Sequence, residues 1–149
     1  MAAARETPQA FSVRSPLFLH GDNDMAHDQF RECIEACQAC ADACDHCATA
    51  CLQEPDVGEM ARCVALDMDC AQICRFAASA MARGSEFAGA ICQLCADICE
   101  ACGEECERHP PDHCQQCAEA CRRCAEACRQ MASKAPARGA QQGTAAAAH

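Results

Sequence analysis

The chain has 149 residues, enough for one domain, and a formal net charge of −10 at pH 7. That balance argues against a nucleic-acid partner, and no apolar run approaches the roughly 18 residues of a membrane span. Leu, Ile, Val and Phe supply only 17 residues, which would ordinarily signal disorder, yet there are 19 cysteines.

Residues 1–22 mix Pro, Arg and Ser around a short apolar patch, Leu17, Phe18 and Leu19. They read as a loose arm, or as an arm whose patch docks on the bundle or a neighbouring subunit. They carry no basic region followed by an apolar stretch, and no twin-arginine pair. The expected location is therefore the cytosol, where thiols stay reduced. An odd cysteine count also excludes a fully paired disulfide framework within one chain.

The first helix is expected from Asn23 or Asp24, either of which could cap it, to about Gln53. Its cysteines, Cys33, Cys37, Cys40, Cys44, Cys47 and Cys51, are spaced four and three residues apart in alternation. This is the rhythm of a seam that faces other helices, here carrying thiols where Leu, Ile or Val would normally stand. No Gly or Pro interrupts it. Pro55 marks a turn. A second helix follows over about 56–83, with Met60, Cys63, Asp67, Cys70, Cys74, Ala77 and Met81 on the seam. Gly84 and Ser85 close it and open the next. A third helix is expected over about 86–108 with Cys92, Cys95, Cys99, Cys102 and Cys106. After the turn at Pro110 and Pro111, a fourth runs over about 111–133 with Cys114, Cys117, Cys121, Cys124 and Cys128. Residues 134–149 read as a disordered tail. The motif C-x2-C-x3-C-x2-C-x3-C recurs in the first, third and fourth helices. The fold class is thus all-α: an up-down-up-down four-helix bundle over residues 23–133, with a cysteine-lined core.

Thiols four residues apart on a helix have Cβ atoms about 5–6 Å apart, whereas a disulfide needs roughly 3.5–4.5 Å. A metal relaxes that demand: with a metal–sulfur bond of about 2.3 Å, a linear S–metal–S unit spans about 4.5 Å. Soft thiolates select Cu(I), zinc and iron–sulfur clusters. Charge favours Cu(I), because one monovalent ion per thiolate leaves a buried row neutral, whereas each tetrathiolate zinc site keeps two negative charges. Paired C-x2-C units signal zinc when a loop separates them. Here they overlap on continuous helices, and none is followed by Pro as in ferredoxin-type cluster loops.

Thiol-filled seams on four helices, the C-R-x-x-A-x-x-C segment at Cys121–Cys128 and the E-C-x-R-H turn at Glu105–His109 resemble the bacterial copper storage proteins, specifically their cytosolic branch. The resemblance covers about residues 24–131. It implies a bundle that stores many Cu(I) ions inside and assembles as a homotetramer.

The turns at Pro55 and at Pro110–Pro111 fall at one end of such a bundle, beside Cys51, Met60, Cys63, Cys106, His109, His113 and Cys114. This end is the expected copper entrance. His109 continues the seam and is read as a ligand or relay, or else as a residue favoured by the helix dipole. His113 is a second candidate. Met60 is either a thioether ligand or core packing. Asp67, the carboxylate on the seam, must meet a metal, a donor or water. The other end collects Phe30, Phe76, Met81, Phe87, Ile91 and Met131 as an apolar plug. His46 falls off the seam, on the surface. The functional expectation is a Cu(I) store and no enzyme, exchanging copper with chaperones or small chelators. A zinc or cadmium sink, a thiol redox protein and an iron–sulfur protein are the alternatives.

Overall fold

The computed structural model describes residues 21–135. Four α-helices follow one another: α1 (Gly21–Cys51), α2 (Ala61–Ala82), α3 (Ala88–Glu107) and α4 (Asp112–Lys134). The proposed arm and tail lie almost wholly outside the described residues. Asn23 and Asp24 are inside α1, so neither caps it.

Turns account for the other shifted boundaries. α2 begins five residues later than expected from the turn at Pro55, because 52–60 is spent on tight turns. Glu59 N–H reaches Asp56 O at 2.9 Å and Met60 N–H reaches Val57 O at 3.1 Å. At the far end of α2, Gly84 takes φ 63°. Its N–H bonds Met81 O at 3.0 Å, while Ser85 N–H bonds Ala80 O at 2.9 Å. This double closure is the Schellman stop, and it demands the left-handed conformation glycine supplies. Ser85 Oγ then accepts from Phe87 N–H at 3.2 Å, opening α3. Pro111 precedes α4, and Asp112 sits in its first turn, where the helix dipole favours a carboxylate.

Each helix packs against its two neighbours in sequence order around a ring, α1 against α2 and α4, α3 against α2 and α4. Across the diagonals no Cα atoms of the described residues come within 8 Å, and only side chains meet. The space between the diagonals is filled by thiols.

Closeness between paired helices comes from small residues placed directly after core cysteines: Ala41, Ala71, Ala96, Gly103, Ala118 and Ala125 are all buried. A Cβ on Gly103 would stand 3.3 Å from Cys121 Cβ and 3.5 Å from Ala118 O. Gly103→Ala sets that tight contact against a helix-propensity gain of roughly 1 kcal/mol, so its net effect is small. Gly103→Leu must push α3 from α4. It is expected to cost about 1–3 kcal/mol, read by urea denaturation of the reduced protein. Wild-type stability in the Leu variant would refute the close approach.

The plug is smaller than expected. Met81 and Met131 are buried, and Phe30 and Ile91 pack partly against the core. Phe76 is 50% exposed and Phe87 40% exposed. Phe76 stands two residues beyond Cys74, which turns it to the outer face, and Phe87 precedes α3 in the turn.

Candidate metal centre

All nineteen cysteines are buried and free. Helical phasing alone aims them inward: each helix turns its three-four stripe toward the space the diagonals leave open. Sulfurs on different helices then meet at the same distances as neighbours on one helix. Near the plug, Cys33 and Cys37 approach Cys128 at 3.6 and 3.5 Å, and Cys37 approaches Cys124 at 3.6 Å. Cys92 is buried beside Cys128 and Cys33. In the middle, Cys74 meets Cys99 at 3.5 Å, Cys95 at 3.6 Å and Cys124 at 3.7 Å. Cys40 meets Cys70 and Cys121 at 3.7 Å each, and Cys70 meets Cys99 at 3.6 Å. Cys44 lies 3.7 Å from Cys121 and 3.6 Å from Cys117. Towards the entrance, Cys63 is 3.5 Å from Cys106, and Cys51 is 3.8 Å from Cys63 and 3.7 Å from Cys114.

These spacings revise the expectation of linear units running along single helices. The sulfurs sit closer than the about 4.5 Å of a linear S–metal–S unit built from bonds of about 2.3 Å. They also gather in fours drawn from several helices, such as Cys37, Cys95, Cys124 and Cys128, or Cys47, Cys51, Cys63 and Cys114. Three-coordinate Cu(I) fits such spacing. So does tetrahedral zinc, whose four sulfurs stand about 3.8 Å apart for bonds of about 2.3 Å. Distance does not separate the two metals, but sharing does. Cys40, Cys44, Cys121 and Cys124 each belong to two of these groups. Divalent ions in every group would crowd charge on shared sulfurs, whereas monovalent ions match thiolates one for one.

Asp67 is fully buried on α2. Its Oδ1 accepts from the thiols of Cys102 at 3.1 Å, Cys117 at 3.3 Å and Cys106 at 3.4 Å, and Oδ2 faces Cys63 at 3.8 Å. It therefore joins Cys63 on its own helix to thiols on α3 and α4. Burial, then the neighbouring Cys117 and Cys102, push its carboxyl up to about 10. Burial likewise raises the Cys51 thiol and takes Cys114 up to about 11. An uncompensated charge is costly here.

The sign of the linkage follows. Unfolded, an Asp carboxyl ionises near pH 4; folded, Asp67 holds its proton to about 10. The stability this group contributes is complete below the unfolded value and is lost as pH rises toward the folded one. Reduced, metal-free protein is expected to lose urea resistance between about pH 5 and 8, and Asp67→Asn is expected to flatten that slope. A wild-type slope of the opposite sign would overturn the assignment.

At the end expected to be the entrance, His109 and His113 each have side chains 14% exposed. His113 Nδ1 stands 3.4 Å from Cys114 Sγ, 3.6 Å from Cys47 Sγ and 3.9 Å from Cys51 Sγ. Its Nε2 is 2.8 Å from Glu54 Oε1. His109 Nε2 is 3.2 Å from Glu105 Oε1. Met60 is buried in the same core cluster, and His46 is exposed. Two carboxylates escaped the sequence reading. Glu105 is nearly buried, and Arg62 and Arg108 also bond it, at 3.1 and 3.4 Å. Its sequence signal is its place in the E-C-x-R-H turn, four residues before His109. Glu54, three residues after Cys51, carries none.

The profile of the copper storage protein family matches residues 26–133. A Cu(I)-bound copper storage protein, BsCsp3, is 54% identical, with a TM-score of 0.67 over 69% of this chain and 97% of that one. A cytosolic copper storage protein from Streptomyces lividans, solved during copper loading with five coppers, is 41% identical, with a TM-score of 0.70 over 74% of this chain and 97% of that one. An uncharacterised cysteine-rich protein of Bacillus subtilis, YhjQ, is 54% identical over 71 residues, which is 47% of this chain and 66% of that protein, just under two thirds. With thiol-lined seams on all four helices and a match over most of its length, the chain belongs to the copper storage protein family.

Proposed function

We propose that the protein is a cytosolic store that sequesters many Cu(I) ions on thiolates inside its bundle and catalyses no reaction. One observation carries this reading: nineteen free, buried thiols arranged in groups that share sulfurs. A redox enzyme needs one reactive pair at an exposed, electropositive position, and here no cysteine is exposed. The ligands are the nineteen cysteines, with Asp67 binding between the entrance and the deeper groups. His109, His113 and Met60 receive copper at the entrance. Copper chaperones or small chelators supply and remove it, and the chain assembles as a homotetramer. The homotetramer is what the resemblance to the family implies.

The near-tetrahedral spacing of the four-thiol groups favours a second reading, a zinc or cadmium sink. Protein recovered anaerobically from cells grown with equal added copper and zinc separates the two. Copper is expected to dominate, and the reduced protein is expected to show no turnover in a thioredoxin-coupled assay. Zinc at about one ion per four thiols, the ratio of closed tetrathiolate sites, would reject copper storage.

A further inference from the structure

The pairing at His113 is asymmetric. One ring nitrogen faces a carboxylate and the other faces three thiols. A carboxylate oxygen accepts hydrogen bonds and never donates, so at 2.8 Å from Glu54 Oε1 the Nε2 atom carries the proton. In the neutral ring, the form that can bind a metal, Nδ1 is then left with its lone pair, facing Cys114, Cys47 and Cys51. We propose that Glu54 is the positioning residue of the copper entrance: it holds His113 as the Nε2–H tautomer, so that Nδ1 takes Cu(I) and passes it to these three thiols.

The placement of Glu54 is built into the backbone. It lies where α1 unwinds, its N–H bonded to Cys51 O at 3.2 Å and the preceding Gln53 N–H to Ala50 O at 3.0 Å. The carboxylate thereby rises from one thiol-bearing helix and reaches a ring on the first turn of another, α4. Metal-binding imidazoles use such a partner to fix ring orientation and increase ligand basicity. His109 is served less well. Its partner Glu105 is also bonded by Arg62 and Arg108, which draw off its charge. Among the described hydrogen bonds, Glu54 gives its carboxylate to His113 alone. In the transfer itself the Cu–N bond breaks as a Cu–S bond forms. The accepting thiol releases its proton to solvent, His113 keeps its own, and no electron moves.

The proposal rests on the copper-storage reading, and its test has a readout that needs no metal. Long-range proton–nitrogen NMR of the reduced, metal-free protein should show His113 with Nε2 protonated and Nδ1 bare. Glu54→Ala should give a mixture of tautomers and slow loading from a Cu(I) chelate by about tenfold, with the final copper content unchanged. Glu54→Gln, which keeps an acceptor oxygen, should keep the tautomer and load at an intermediate rate. If the Ala variant fails to fold by circular dichroism, Glu54→Asp, one methylene too short, is read in its place. An unchanged tautomer overturns the proposal whatever the rate, and so does a lost tautomer with wild-type loading. Wild-type protein that takes no Cu(I) would fail the storage reading first, and the hand-over with it.

Discussion

Anaerobic titration of the reduced, metal-free protein with Cu(I) is expected to saturate at about one ion per cysteine, on the order of nineteen per chain. The expectation comes from sharing. A sulfur that serves two groups, as Cys40 or Cys124 does, lets the metal count approach the thiol count. Isolated dithiolate sites would stop near half that ratio, and tetrahedral sites near a quarter. Loading also removes the electrostatic obstacle inside. Each bound ion replaces a thiol proton with a charge that stays, and binding to the native state alone stabilises it by mass action. Thermal unfolding should therefore move well upward with each increment of copper. A plateau at about one metal per four thiols, the tetrathiolate ratio, would end the Cu(I) interpretation.

The second large effect is kinetic. His109→Ala combined with His113→Ala is expected to slow copper uptake by an order of magnitude or more, while lowering capacity by only a few ions. Both rings are 14% exposed at the end where Cys51, Cys63 and Cys114 gather, and the thiols beyond them are untouched. Helical content should persist, because His109 lies in the turn after α3 and His113 in the first turn of α4. Phe30→Ala at the opposite end is the control. Phe30 is only partly buried, so its loss should cost less than the about 3–5 kcal/mol of a fully buried Phe, without accelerating uptake. Stopped-flow transfer from a Cu(I) chelate decides between the ends. Equal rates for the double variant and wild type, with faster loading in the Phe30 variant, would move the entrance to the plug.

The ligand stripe was legible because cysteine carries two messages at once. Its spacing sets the helical phase, and its side chain is the chemistry. Asp67 was legible for the same reason, since a carboxylate on a buried seam requires a partner. Contacts between helices were less visible. Glu54 and Glu105 matter only because the ring of helices brings α4 beside α1 and α2 beside α3. Nothing local separates Glu54 from the many solvated acids of the chain, and Glu105 is marked only by its motif and its spacing to His109. The alanines that follow core cysteines set how closely helices approach, which the cysteine spacing alone does not announce. Phe76 and Phe87 misled in the opposite direction. Aromatic character suggested burial, but helical phase and a turn leave them at the surface.

The overlap of the four-thiol groups makes the interior a passage as well as a container. Cys37, Cys95, Cys124 and Cys128 share Cys124 with the group of Cys40, Cys74, Cys99 and Cys124. That group shares Cys40 with the next, and the next shares Cys44 and Cys121 with the group that holds Cys102 and Cys117. An ion stepping from one group to its neighbour can keep hold of one sulfur while it reaches for another, like a climber on a ladder whose rungs belong to two flights. Migration then needs no fully desolvated, ligand-free moment. A vacancy opened at the mouth by a chelator can travel inward as filled positions shift outward to replace it. With the entrance at the His109 and His113 end, as proposed, retrieval is expected to be queued from that end, the last copper to arrive leaving first.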